Sequence, residues 1–270
     1  CKDYHSILLV ADRNTFGAAG EKTMQYLAGK AVDKVIFPGD KVLIPNEAAI
    51  EKVQAALDRH DLIIGIGSGV IQDLCKYVAF YGKLPYFVVA TAPSMDGFAS
   101  DTAPIVENNF KSSWQAEQPM VIIGDTKILA KAPNILKSSG FGDMIAKYVS
   151  ICEWRMANII TGEYYCEEVA QLIRSALQQC VDGADGLLRR EKDAVQAVFE
   201  GLVIGGVAMN YAGCSRPASG NEHYISHIVD MRAVEFGTAE DLHGIQCAIG
   251  TLETLRLYEK LQNITPDREK

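Results

Sequence analysis

Asp61-Leu62-Ile63-Ile64-Gly65-Ile66-Gly67-Ser68-Gly69-Val70-Ile71-Gln72-Asp73 decides the fold. Its opening is a short apolar run without alternation, the pattern of a strand buried on both faces. Glycines at 65, 67 and 69 then hand the chain to a stretch of helix length, roughly 69–82. Small residues at such a turn let backbone N–H groups approach a pyrophosphate, and the helix N-terminus adds a positive end. The spacing departs from the dinucleotide fingerprint G-x-G-x-x-G, since position 70 is Val. A tight turn that needs glycine explains the loop equally well.

The same alternation extends outward. Ser6–Ala11, Lys34–Pro38 and Pro85–Thr91 read as further strands, with helical stretches near 14–29 and 46–60 between them. Buried strands separated by helices mean βαβ units and a parallel sheet. Ala103–Gly124 ends in Met120-Val121-Ile122-Ile123 and reads as a hairpin or a sheet edge. Past residue 127 strand signals vanish. Helices are expected near 138–158, 163–184, 186–212, 220–235 and 240–262, with Pro133 and Asn134 as the sharp punctuation. The fold class is therefore α/β, with a Rossmann-like parallel-sheet nucleotide-binding domain over 1–126 and an all-helical domain over 127–270.

Composition narrows the function. The 270 residues are 48% hydrophobic and 22% charged, which excludes a disordered or low-complexity chain. Lys and Arg number 26 against 34 Asp and Glu, with no basic run, so nucleic acid is a poor partner. No apolar stretch is expected to reach the roughly 20 residues that span a bilayer. Cys1-Lys2-Asp3-Tyr4-His5 does not resemble a signal peptide and lacks an initiating Met, so a trimmed chain is expected. Seven scattered Cys without a C-x-x-C pair point to a reduced, cytoplasmic compartment.

Three further patterns carry chemistry. Thr91-Ala92-Pro93-Ser94-Met95-Asp96-Gly97-Phe98-Ala99-Ser100 follows a strand, where ligands of open α/β sheets bind. The hydroxyls of Thr91, Ser94 and Ser100 suit phosphate or nicotinamide, although turn chemistry favours the same residues. Asp12, ending the first strand, suits a ribose diol or simply caps a helix. In the helical half, Asp143 sits in what reads as a helix start, His223 and His227 share a helical face, and His243 opens another helix. One carboxylate and two imidazoles leave a position open on a divalent metal. From spacing alone His223 and His227 serve equally as two ligands of one site.

Taken together, Gly65-Ile66-Gly67-Ser68-Gly69 with Asp73 and Lys76, the Ser94-Met95-Asp96-Gly97 loop, Gly140-Phe141-Gly142-Asp143, Arg216-Pro217-Ala218-Ser219-Gly220-Asn221-Glu222-His223 with Ser226-His227, and Leu242-His243-Gly244 resemble one superfamily. It unites iron-containing alcohol dehydrogenases, glycerol dehydrogenases and dehydroquinate synthases, and the likeness is strongest to its glycerol-1-phosphate dehydrogenase branch. The resemblance implies a dehydroquinate synthase-like fold with the active site between the two domains. By matching motif, Gly67, Ser68 and Gly69 hold the pyrophosphate, Thr91, Ser94 and Ser100 contact NAD or NADP, and Asp143, His223 and His243 ligate one divalent metal. Zinc is expected first, nickel or iron next. Asp96, Asp143 and His227 contact substrate. Ser68 stands where the family usually has a glycine, and family members often run longer at the C-terminus.

The implied chemistry is reversible reduction of dihydroxyacetone phosphate by NAD(P)H, with His227 relaying a proton and Asp96 orienting substrate hydroxyls. Arg216 and Lys111 are the candidates for the substrate phosphate. A glycerol dehydrogenase would share the ligands without a phosphate site. A dehydroquinate-synthase-like cyclase would recycle NAD, and a non-catalytic nucleotide binder would have no use for the metal. A homodimer or larger homo-oligomer is implied by resemblance only.

Overall fold

The structure is a computed structural model that describes residues 2–108, 110–238, 241–262 and 264. Cys1, Glu240 and Lys270, touched on above, lie outside the described residues. Seven strands are present among them: β1 Ser6–Asp12, β2 Ala31–Phe37, β3 Leu62–Gly67, β4 Tyr86–Ala90, β5 Thr102–Glu107, β6 Phe110–Gln115 and β7 Val121–Ile123. The first helices are α1 Arg13–Thr15, which continues through a π-helical turn into α2 Glu21–Tyr26, then α3 Glu47–Gln54 and α4 Gly69–Gly82. Beyond β7 come α5 Thr126–Leu129, α6 Asn134–Ile145, α7 Lys147–Thr161, α8 Glu167–Asp182, α9 Ala184–Leu188, α10 Lys192–Ala212, α11 Asn221–Phe236 and α12 His243–Leu261.

The main sheet has the order β2-β1-β3-β4-β7 and is parallel throughout. Continuous apolar runs make this possible, because both faces are covered. On β1, Leu8 and Val10 enter one core with Ile63, Leu74, Val78 and Val88. Ile7, Leu9 and Ala11 enter the other with Ile64, Ile66, Phe87 and Val89. The two readings offered for Ala103–Gly124 are both realised. β5 and β6 form a separate antiparallel hairpin, and β7 closes the edge of the main sheet. β2 starts earlier than expected because its first residues face solvent and carry little apolar signal.

The helical half departs in detail. The expected 138–158 helix begins at Asn134, directly after Pro133, and is interrupted at Ala146. The expected 186–212 helix is broken, with Glu191 N–H folded back onto Gly186 O. α10 also corrects the expectation about apolar length: it is long and apolar enough to cross a membrane, but half of that stretch is buried. Its Val195, Val198, Phe199 and Leu202 form the helical core with Phe98 from the loop after β4, and the Phe98 and Phe199 rings meet edge-on at 5.2 Å. That contact fastens the α/β half to the helical half.

Asp143 does not sit at a helix start. It lies near the C-terminal end of α6, so it is not an N-cap. Gly140 and Gly142 let α6 pass close to its neighbours. A Cβ on Gly142 would lie 2.3 Å from Gly244 O, and one on Gly244 would lie 1.8 Å from Ser139 O. This crossing sets the distance between Asp143 and His243. Gly244→Ala is expected to force α6 and α12 apart and cost about 1–3 kcal/mol. Chemical denaturation measures it, and an unchanged midpoint would contradict the close-crossing account.

Candidate active site

A cavity of about 1180 Å³ opens where the strand ends of the sheet face the helical half. β3 delivers the chain to Ser68, the N-cap of α4, and Gly69 takes a positive φ of 26°. Gly67 packs tightly, since a Cβ there would lie 2.7 Å from the Ile71 side chain. Of the expected cofactor residues, Asp12, Ser68, Gly69, Thr91, Ser94 and Ser100 line the cavity; Gly67 sits behind it. Ser94 Oγ donates to Ser68 Oγ at 3.0 Å, tying the two loops together. Ser100 Oγ accepts from the buried Lys76 ammonium at 2.7 Å. Asp12 caps α1 by accepting from Thr15 N–H at 2.8 Å, the plainer of its two readings, while still facing the cavity.

The helical half contributes a second cluster. Asp143 Oδ1 lies 3.7 Å from His223 Nε2, and the His223 and His243 ring centroids are 5.1 Å apart. One donor atom from each of Asp143, His223, His243 and Cys247 falls within 4.8 Å of the others. Cys247 is a residue that the sequence reading missed, although its i,i+4 spacing from His243 was visible. His227 is not part of this cluster. It sits one turn further along α11 and lines the cavity, so the alternative of a His223–His227 pair is not realised among the described residues.

The imidazoles are held in register from behind. Glu222 Oε1 lies 2.7 Å from His223 Nδ1, so that nitrogen donates and Nε2 is left to face Asp143. Ser226 gives its single proton to Gln246 Oε1 at 2.7 Å and lies 3.2 Å from His243 Nδ1, which must then be the donor. Gln246 Nε2 in turn donates to Asp230 Oδ1. Both ligand candidates thus carry the carboxylate or hydroxyl partner that orients metal-binding histidines. A carboxylate oxygen and two imidazole nitrogens at this separation fit a divalent ion.

Charge is concentrated here. The buried Lys147 ammonium, also missed from sequence, lies 2.6 Å from Asp96 Oδ2 and 2.8 Å from Asp143 Oδ1. Asp96 N–H donates to Asp143 Oδ2 at 2.9 Å. Burial works to raise the Asp143 carboxyl, but Lys147, His243 and His223 hold it down at about 2. Burial, with His223 and His243 nearby, keeps the His227 imidazole below its usual range, so it is neutral and able to take a proton at pH 7. Burial pushes Asp73, on the cavity wall, up to about 6 against the pull of Lys76, Lys111 and His243. The two phosphate candidates separate cleanly. Arg216 does not line the cavity; its guanidinium grips Glu163 through bonds of 2.7 and 2.8 Å. Lys111 lines the cavity, paired with Asp230 at 2.5 Å.

Residues 2–133 match the family model described as iron-containing alcohol dehydrogenase. The glycerol-1-phosphate dehydrogenase [NAD(P)+] of Bacillus velezensis is 33% identical, over 98% of this chain and 70% of its own length. That of Methanoregula boonei is 36% identical, over 96% of this chain and 70% of its own. The chain belongs to the glycerol-1-phosphate dehydrogenase family. It spans about two thirds of the length of these relatives, with shares between 65% and 70% for several of them. A solved structure of glycerol dehydrogenase from Schizosaccharomyces pombe superposes with a TM-score of 0.77 at 22% identity, covering 96% of this chain and 67% of that one. It shares the fold, an α/β domain followed by a helical one.

Two outcomes follow from the charges. Lys147→Met strands two buried carboxylates and is expected to cost about 3–5 kcal/mol in denaturant unfolding; a loss below 1 kcal/mol would show that the triad is not structurally important. Asp73 carries a different signature. Its folded-state proton is held to about pH 6, against an ordinary carboxyl value of 3.8, so its stabilising contribution is complete below 3.8 and lost as pH rises through about 6. Asp73→Asn, which mimics the protonated form, should match the parent near pH 4 and exceed it by roughly 2–3 kcal/mol at pH 8. A pH-independent difference between the two would contradict this.

Proposed function

We propose that this chain reversibly reduces dihydroxyacetone phosphate to sn-glycerol 1-phosphate with NADH or NADPH, assisted by one divalent metal. The observation that carries the reading is the meeting of two elements across one cavity. The glycine loop and its neighbouring hydroxyls line one wall; His223 and His243 line the other, with Asp143 buried beside them. When bound, the nicotinamide supplies the hydride and the metal supplies Lewis-acid polarisation of the carbonyl.

The protein's own groups supply position and protons. Backbone N–H groups around Gly67, Ser68 and Gly69 face the pyrophosphate, with Thr91, Ser94 and Ser100 beside the nucleotide and Asp12 near a ribose. Asp96, clamped by Lys147, presents its carboxylate to substrate hydroxyls. His227, neutral and on the cavity wall, accepts or returns the hydroxyl proton. Lys111 meets the substrate phosphate, exchanging part of its bond to Asp230 for one to the ligand. The donor set favours zinc, with nickel or iron next. A cytoplasmic homodimer is the assembly that the family resemblance supports.

Purified, zinc-loaded protein should oxidise NADH or NADPH with dihydroxyacetone phosphate, and far less with unphosphorylated dihydroxyacetone. Lys111→Ala should raise the KM for the phosphorylated ketone about 10-fold or more, the value of a lost charged hydrogen bond, with little change for the unphosphorylated one. Equal rates with both ketones would instead favour a glycerol dehydrogenase.

A further inference from the structure

Cys247 differs from the other buried cysteines. Cys75 packs behind β3 against apolar neighbours, and Cys180 gives its thiol to Ala197 O. Cys247 is fully buried, yet its sulfur has turned toward two imidazoles. It lies one turn beyond His243, so α12 presents both side chains from one face, the i,i+4 arrangement by which a helix offers two ligands to one ion. The Cys247 carbonyl accepts from Thr251 Oγ1, while its sulfur lies 3.6 Å from His243 Nε2 and 4.0 Å from His243 Nδ1.

The distances are informative. Tetrahedral zinc with Zn–N near 2.0–2.1 Å and Zn–S near 2.3 Å holds adjacent donors roughly 3.3–3.6 Å apart. Cys247 Sγ lies 3.6 Å from His243 Nε2, and Asp143 Oδ1 lies 3.7 Å from His223 Nε2. Both are close to tetrahedral edges, and the four donors together lie within 4.8 Å of one another. His243 Nδ1 is turned away toward Ser226, so the nitrogen nearest the sulfur is the one free to bind an ion.

We propose that Cys247 Sγ is a fourth protein donor to the divalent ion in the substrate-free site, giving two nitrogens, one oxygen and one sulfur. The inference rests on the metal reading above and adds a ligand to it. The thiol sheds its proton to solvent as the sulfur–metal bond forms, together with any proton on the ligating imidazole nitrogens. A soft thiolate biases the site toward zinc, cobalt or another thiophilic ion and away from magnesium or manganese. A set of four protein donors is closed, so substrate binding must expand the coordination or displace the sulfur.

Cobalt(II) titration of the intact protein tests this, since thiolate ligation gives a near-ultraviolet sulfur-to-cobalt charge-transfer band that nitrogen and oxygen donors do not. The band is expected in the parent and absent from Cys247→Ser. Zinc affinity, measured by chelator competition, should fall about tenfold or more in that variant. Cys247→Ala repeats the test without a hydroxyl that can replace the sulfur. One equivalent of cobalt bound without the band, with zinc affinity unchanged in both variants, would overturn the fourth donor and leave the Asp143–His223–His243 site standing. Failure of the parent to bind any cobalt or zinc would overturn both.

Discussion

The Lys147 ammonium, with no exposure to solvent, lies between the carboxylates of Asp96 and Asp143. Asp96 belongs to the loop after β4, while Asp143 and Lys147 belong to helices on either side of Ala146. This triad is thus where the α/β half and the helical half meet in charge, as Phe98 and Phe199 are where they meet in apolar contact. A buried ion pair gains little over an apolar isostere, but losing one partner is expensive because the other is stranded. The triad is therefore better understood as fixing geometry than as adding stability. Lys147 holds Asp143 Oδ1, the oxygen nearest His223, and Asp96 N–H holds Oδ2, so the carboxylate is fixed through both oxygens.

That constraint explains the surrounding architecture. Asp143 needs His243 at close range, and the close crossing of α6 and α12 through Gly142 and Gly244 provides it. The histidines need their second nitrogens occupied, and Glu222 and Ser226 do this from buried positions on α11. From Ser226 the chain of bonds runs through Gln246 and Asp230 to Lys111 on the hairpin strand β6. The small antiparallel sheet, peripheral in topology, thereby reaches one side of the cavity. Around the cluster three carboxylates, Asp96, Asp143 and Glu222, face one ammonium, an imbalance that a divalent cation relieves.

Much of this was legible in sequence where a residue acts through its neighbours along the chain. Continuous apolar runs marked β1, β3 and β4, and the loops after β3 and β4 came with them. Asp143, His223 and His243 were picked out, and the structure brings them together. The errors share a cause: they concern contacts between elements far apart in the chain. Asp143 read as a helix start, whereas it lies near the C-terminal end of α6, where Gly140 and Gly142 serve close approaches to neighbouring segments. Arg216 looked free because its partner Glu163 is 53 residues away. Lys147 and Cys247 escaped attention as an ordinary basic residue and a scattered thiol. Their i,i+4 spacing from Asp143 and His243 was nevertheless a local signal. The stretch expected as one helix over 186–212 is broken before α10, and α10 supplies Val195, Val198, Phe199 and Leu202 to the helical core.

The whole account turns on one cation being gripped by side chains from three separate helices. Anomalous diffraction at the zinc edge, on crystals of the zinc-loaded protein, tests it most directly. The account predicts one peak per chain, about 2.0–2.2 Å from a carboxylate oxygen of Asp143 and from Nε2 of both His223 and His243. A peak held by other residues, or no peak in the cavity with zinc in excess, would contradict it.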